Sequence, residues 1–179
     1  LGSIPLIVGG LLLIPSVQKY AVDKAVALGG SYLNTQVSLE SLYLEPFKTL
    51  RLEGVMIYDQ SQDTLLYAET LRLDLTSFDR DKQSLNIDYI GLKNVYFNLY
   101  IAENDTVTNL QFLLDVFKST KEDTSKTAFS IACDEVVLDG LRFRFDDANA
   151  PHRDAEEVDF SHLLVTGLSG RITDVAFSD

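Results

Sequence analysis

The apolar residues of "LNIDYIGLKNVYFNLY", residues 85–100, fall at Leu85, Ile87, Ile90, Leu92, Val95, Phe97 and Leu99. The spacing is two, then three, then two. It recurs at Val37, Leu39, Leu42 and Leu44, at Leu50, Leu52, Val55 and Ile57, and at Leu66, Ala68, Leu71, Leu73 and Leu75. The fullest later copy gives Phe129, Ile131, Cys133, Val136, Leu138, Leu141, Phe143 and Phe145. Successive side chains of a strand point to opposite faces, so a one-residue slip sends every later apolar side chain to the wrong side. A bulge restores the phase while bending the strand and increasing its twist. The pattern therefore predicts bulged strands, with Glu53-Gly54, Gly91 and Asp139-Gly140 supplying pliable backbone. An internal repeat of this kind points to an extended or stacked architecture.

The other face is equally regular, with Arg51, Glu53, Arg72, Asp74, Lys93, Arg142 and Arg144 among its members. Two-faced strands typify antiparallel sheets with one wet side. The expected fold is mainly β: a curved, taco-like antiparallel sheet from residue 35 to 179, apolar residues inward, preceded by a helix. Polar turns are predicted at "DQSQDT" from Asp59, at "DRDKQS" from Asp79 and in the acidic "DDANAPHRDAEEVD" from Asp146. One further helix, about 109–119, is expected at "TNLQFLLDVFKST", capped by Thr108 or Asn109 and lying across the sheet end.

No residue from Ile4 to Val17 is charged, and Lys19 is the first charge in the chain. Such a run reaches the lower limit of roughly 17 apolar residues for a bilayer-spanning helix. It reads as the C-terminal part of a membrane anchor over 1–18, built on Ile4, Leu6, Ile7, Val8, Leu11, Leu12, Leu13 and Ile14. A buried core helix and a signal sequence are its rivals, although no small-x-small cleavage site follows. An amphipathic helix over 19–34 is expected to continue from it, with Val17, Tyr20, Ala21, Ala25, Leu28 and Tyr32 on one stripe and Gly29-Gly30 loosening or ending it. The chain begins without Met and stops inside a patterned segment, so it is expected to be a piece of a longer protein.

Charge narrows the function classes. Lys and Arg number 15 against 27 Asp and Glu, for a net charge of −12. Binding phosphates needs clustered cations, so nucleic acid is excluded as a partner. The single cysteine, Cys133, sits in an apolar register and builds neither a disulfide framework nor a thiolate site.

Catalytic and metal motifs are missing from the sequence. His152 and His162 form no His-x-x-x-His pair, and neither a Gly-x-Ser-x-Gly elbow nor a glycine-rich phosphate loop occurs. The carboxylates of the acidic loop, Asp146, Asp147, Asp154, Glu156, Glu157 and Asp159, do not match an EF-hand spacing. No catalytic residue, metal ligand or cofactor is assigned, and the acidic loop is expected to be solvated and mobile. An extracytoplasmic hydrolase using the two histidines is the least favoured reading.

The order of these features, together with "LLLIPSVQKYAVDKAVALGGSYL", "GVMIYDQSQDTLLYAETL" and "NLQFLLDVF", resembles the N-terminal part of TamB-type proteins of the AsmA-like superfamily, particularly the Bacteroidota version. The resemblance covers nearly the whole chain and includes no catalytic motif. It implies a single-pass inner-membrane protein with its bulk in the periplasm, whose bridge-like β-groove carries lipid acyl chains between membranes, as related chorein-type transporters do. It also implies a part in outer-membrane protein assembly with an Omp85-class partner, contacted through C-terminal regions outside this chain.

On this reading Val37, Leu39, Leu52, Val55, Ile57, Leu71, Leu73, Ile87, Ile90, Leu92, Val95, Phe97, Ile131, Val136, Leu138, Leu141 and Phe143 line a groove for phospholipid. Closed-core filler is the plain alternative for each of them. The rival function is an assembly factor that offers an open sheet edge to client strands by β-augmentation.

Overall fold

The computed structural model of the chain describes residues 14–45, 49–79, 84–122, 130–153 and 157–177. Helix α1 (Pro15–Leu33) precedes seven strands: β1 (Val37–Ser38), β2 (Ser41–Glu45), β3 (Thr49–Tyr58), β4 (Thr64–Asp79), β5 (Ser84–Ile101), β6 (Ser130–Asp147) and β7 (His162–Phe177). Helix α2 (Gln111–Glu122) lies between β5 and β6. The sheet is open, ordered β1, β3, β4, β5, β6, β7, and β2 also pairs with β3. The residues between β1 and β2 stay on the same neighbour, since Glu40 N–H donates to Glu53 O at 2.9 Å.

The expectation of a mainly β fold holds, but the sheet is not antiparallel throughout. β5 and β6 run parallel, Ile87 beside Cys133 and Phe97 beside Phe143. A parallel neighbour needs a crossover of a dozen or more residues, and the connection carrying α2 supplies it.

At one level the three-residue steps are aligned from β3 to β6. Leu52 pairs with Leu71 and Val55 with Ala68 with no shift of register between them. Leu71 likewise pairs with Leu92, and Ala68 with Val95. From β3 to β6 each strand takes its extra residue at this level, so the polar pair of one strand faces the polar pair of the next; β7 takes its own one pairing further along, between Val165 and Leu168. Here two residues do not oppose one, but they do, as expected, where Ile87–Ile90 of β5 faces Leu73–Leu75 of β4 and where Leu138–Leu141 of β6 faces Leu168–Gly170 of β7. Left-handed backbone marks the line: Gly54 (φ 63°), Asn94 (φ 47°), Gly140 (φ 74°) and Gly167 (φ 71°). Side chains are strained in that region, which explains the glycines. The shifts of register lie at those steps, at Asp74/Leu75/Ser77 against β5 and at Leu138/Leu141/Phe143 against β7, with a further one at Ile57/Tyr58 between β3 and β4.

Helix α1 corrects three expectations. Its N-cap, Ile14, is extended (φ −80°, ψ 120°) with Pro15 next, so α1 does not continue an upstream helix. Proline disfavours the helical region for the residue before it, which fixes the break here. Gly29 and Gly30 do not end the helix, which runs to Leu33 and closes on left-handed Asn34. The half-buried stripe is Val17, Ala21, Val22, Ala25, Val26, Gly29 and Leu33, whereas Tyr20, Leu28 and Tyr32 are 65%, 71% and 55% exposed. Gly29 is where the helix meets the sheet, since a β-carbon there would lie 3.9 Å from both γ-carbons of Val37. Among the described residues no helix is long and apolar enough to cross a membrane. Of the proposed anchor positions, Ile14 is 46% exposed, and Ile4, Leu6, Ile7, Val8, Leu11, Leu12 and Leu13 lie outside the described residues.

Candidate functional site

Directly opposed residues of neighbouring strands share a face. By that rule Ile57, Leu66, Phe97, Phe143 and Val165 form one row across β3 to β7. Leu52, Leu71, Leu92 and Leu138 form a second. A third holds Leu50, Leu73, Ile90, Val136 and Ile172. A fourth joins Leu75, Ile87, Cys133 and Val175.

Between the first two rows Val55, Ala68 and Val95 make the buried centre, with Leu39, Leu52, Leu66, Leu71, Leu92, Leu138 and Leu141 packed on it. Val37 enters at the edge opposite Ile57. The Phe97 and Phe143 rings meet at 6.0 Å between centroids. The residues expected on the groove thus share one face; Ile131 pairs between Leu85 and Phe177, and its side chain lies outside the described residues.

That face is only partly buried. Of the expected groove residues, Val55, Ile87 and Val95 are below 10% exposed, and the other described ones are half-buried. Among the described residues no second layer covers it. α1 packs on β1 and β2, and α2 makes no substantial contact with any strand. At the sheet end α2 contributes Phe112, which lines a small cavity with Tyr100 of β5 and Asp59 of the β3–β4 turn. The apolar surface runs to the outer strand, where Leu168 and Ile172 are 50% and 62% exposed.

The opposite face is charged and internally paired. Arg51 contacts Glu45 at 2.8 Å and also Glu53; Arg72 contacts Asp74 at 3.2 Å, Arg144 contacts Asp146 at 2.8 Å and Arg171 contacts Glu135 at 2.8 Å. Arg51, Arg72 and Arg142 also lie over the rings of Tyr43, Tyr89 and Tyr96 at 4.5, 5.8 and 5.6 Å. Such pairs keep cations on the wet side while their stems cover the sheet.

A buried carboxylate closes one end of the sheet. Asp59, 1% exposed, accepts hydrogen bonds from the N–H groups of Ser61 and Asp63 and from Asn109 Nδ2. Burial pushes its carboxyl up, but the bonds from Asn109, Tyr100, Asp63 and Ser61 together outweigh that and hold it below the usual aspartate range. Asn109 does not cap α2 as expected. Its Oδ1 accepts Tyr100 N–H at 3.0 Å and its Nδ2 also reaches Asn98 O at 3.1 Å, so it splices the loop after β5 onto the β3–β4 turn.

Over its described residues the acidic loop is largely exposed, as expected, and carries hydrogen bonds of its own. Asp159 accepts the N–H groups of Arg153 and Ser161, each at 3.1 Å, and Asn149 binds Ala102 O and Asp105 O at 3.0 and 3.1 Å. Two features were missed from sequence. The apolar positions of β7, Leu163, Val165, Leu168, Ile172 and Val175, follow the rhythm, but Gly170 fills one apolar slot and hides it. The convergence of His152 and His162, whose ring centroids are 3.8 Å apart, depends on the β6–β7 pairing rather than on any local spacing. Comparison with protein-family models, curated proteins and solved structures gives no match.

Proposed function

We propose that the chain is the anchor-proximal part of a TamB-type lipid bridge. Its half-exposed apolar face carries phospholipid acyl chains from the inner membrane toward the outer membrane. On this reading the bulk of the chain sits in the periplasm, with the segment before Pro15 at the inner membrane. The observation that carries the proposal is the continuity of apolar rows from Val37 at one edge to Val165 and Ile172 at the other, without a covering layer among the described residues.

Burial is worth about 0.8 kcal/mol per methylene, so an acyl chain in water is strongly driven onto such a surface. The rows consist almost wholly of aliphatic and phenyl groups, which attract without direction. No position along them holds a chain more tightly than its neighbours, and sliding along the face costs little.

The test is a photoreactive residue at Phe97 or Leu138, with one at Arg142 on the charged face as control. Illumination in cells is expected to attach phospholipid at the first two positions and not at the third. Equal labelling of both faces, or none at either apolar position in folded protein, overturns the proposal.

A second reading has its own support. β7 has one neighbour, β6, among the described residues and presents a 16-residue edge bearing exposed Leu164, Leu168 and Ile172. An unpaired edge of that length is a template for an added strand, the contact an assembly factor would use with client strands and an Omp85-class partner. Proline in β7 is expected to abolish client binding and leave lipid labelling at Phe97 intact if this edge is used.

A further inference from the structure

The loop after β6 and the first residue of β7 bring together both histidines of the chain. Asp146 pairs with His162 in the β6–β7 register, and the loop folds back so that His152 stacks on His162, with ring centroids 3.8 Å apart. Asp159 completes the group. Its Oδ2 lies 3.0 Å from His162 Nδ1 and 3.7 Å from His152 Nδ1. One nitrogen from each ring and one carboxylate oxygen lie within 4.8 Å of one another.

We propose that His152, Asp159 and His162 bind a divalent cation of the zinc class. Two ligands each about 2.0–2.1 Å from a tetrahedral zinc are themselves about 3.3 Å apart, so the separations of 3.0 and 3.7 Å need only small adjustment. Imidazole and carboxylate are the donor types such ions take. The supports are already in place. Backbone N–H groups of Arg153 and Ser161 hold the Asp159 carboxylate, while the His162 side chain is 12% exposed and so fixed by its surroundings. His162 Nε2 lies 3.8 Å from Asp146 Oδ1, a carboxylate that would orient a metal-bound imidazole from behind once it closes to hydrogen-bond distance. His152, 80% exposed, is the ligand free to close on the ion, with water completing the tetrahedron. Bound metal would fasten the loop to the strand end independently of any lipid on the apolar face.

The experiment titrates zinc chloride into the chelator-treated 179-residue chain near neutral pH. It follows the imidazole nitrogens by NMR and the stoichiometry by calorimetry. Both imidazoles belong to this site, so the expected result is one zinc ion per chain and a shift of both sets of signals. His162→Ala and Asp159→Asn are each expected to weaken binding by at least about tenfold, the loss that even a supporting residue of a metal site produces. Unshifted imidazole signals in the unsubstituted chain, or an affinity that His162→Ala leaves unchanged in folded protein, overturns the proposal. Neither outcome depends on lipid or on a partner.

Discussion

Gly140 and Asp59 show how much of this molecule rests on single positions. Gly140 combines φ 74° with a neighbour, Asn94 Oδ1, only 2.8 Å from where a β-carbon would sit. Gly167 shares the left-handed backbone but has nothing within 4 Å of that point, and Gly170 has neither constraint. Alanine at Gly167 is therefore expected to cost about 1–2 kcal/mol for the backbone alone. Alanine at Gly140 should cost more and at Gly170 almost nothing, an order that urea denaturation reads directly.

Asp59 gives a pH signature. Its carboxyl titrates lower in the folded chain than the roughly 3.9 of an unfolded aspartate, so its contribution is complete above that value and is lost as pH falls through the folded pKa. Asp59→Asn is expected to cost about 1–3 kcal/mol at neutral pH by leaving buried hydrogen-bond partners poorly matched. It should also flatten the acid limb of a stability-against-pH curve.

Helix α1 shows what apolar periodicity reveals and what it leaves out. A stripe through Tyr20, Leu28 and Tyr32 and one through Val22, Val26 and Leu33 both have helical spacing, and sequence alone favours the bulkier residues. The chain half-buries the smaller ones, with the helix facing Val37 at Gly29. Val26→Asp is therefore expected to release α1 from β1 and β2, while Leu28→Asp, at a 71% exposed site, leaves it docked. Hydrogen exchange of the helix amides distinguishes the two outcomes.

The strands were legible for the opposite reason. Which side each residue of β3, β4, β5 and β6 takes follows from spacing alone, because a half-wet sheet leaves no freedom of phase. The direction of pairing was not legible, since alternation is the same for parallel and antiparallel neighbours. The Asn109 splice and the two-histidine cluster were hidden as well, because both depend on which strand ends become neighbours in space.

Taken as a whole, the chain is one open sheet with an oily side, a charged side and a line of left-handed residues running across it from Gly54 to Gly167. That line sets a rule for whatever joins next. A strictly alternating strand laid against β7 would need a shift of register at each doubled pair to keep its apolar rows in phase, as β4 makes against Ile87–Ile90 of β5. A newcomer carrying the same doubled polar pair at the same height would match along its full length. The crease thus works as a preference written in phase rather than in residue identity, favouring a strand with the same doubled pair over one that must bulge to fit.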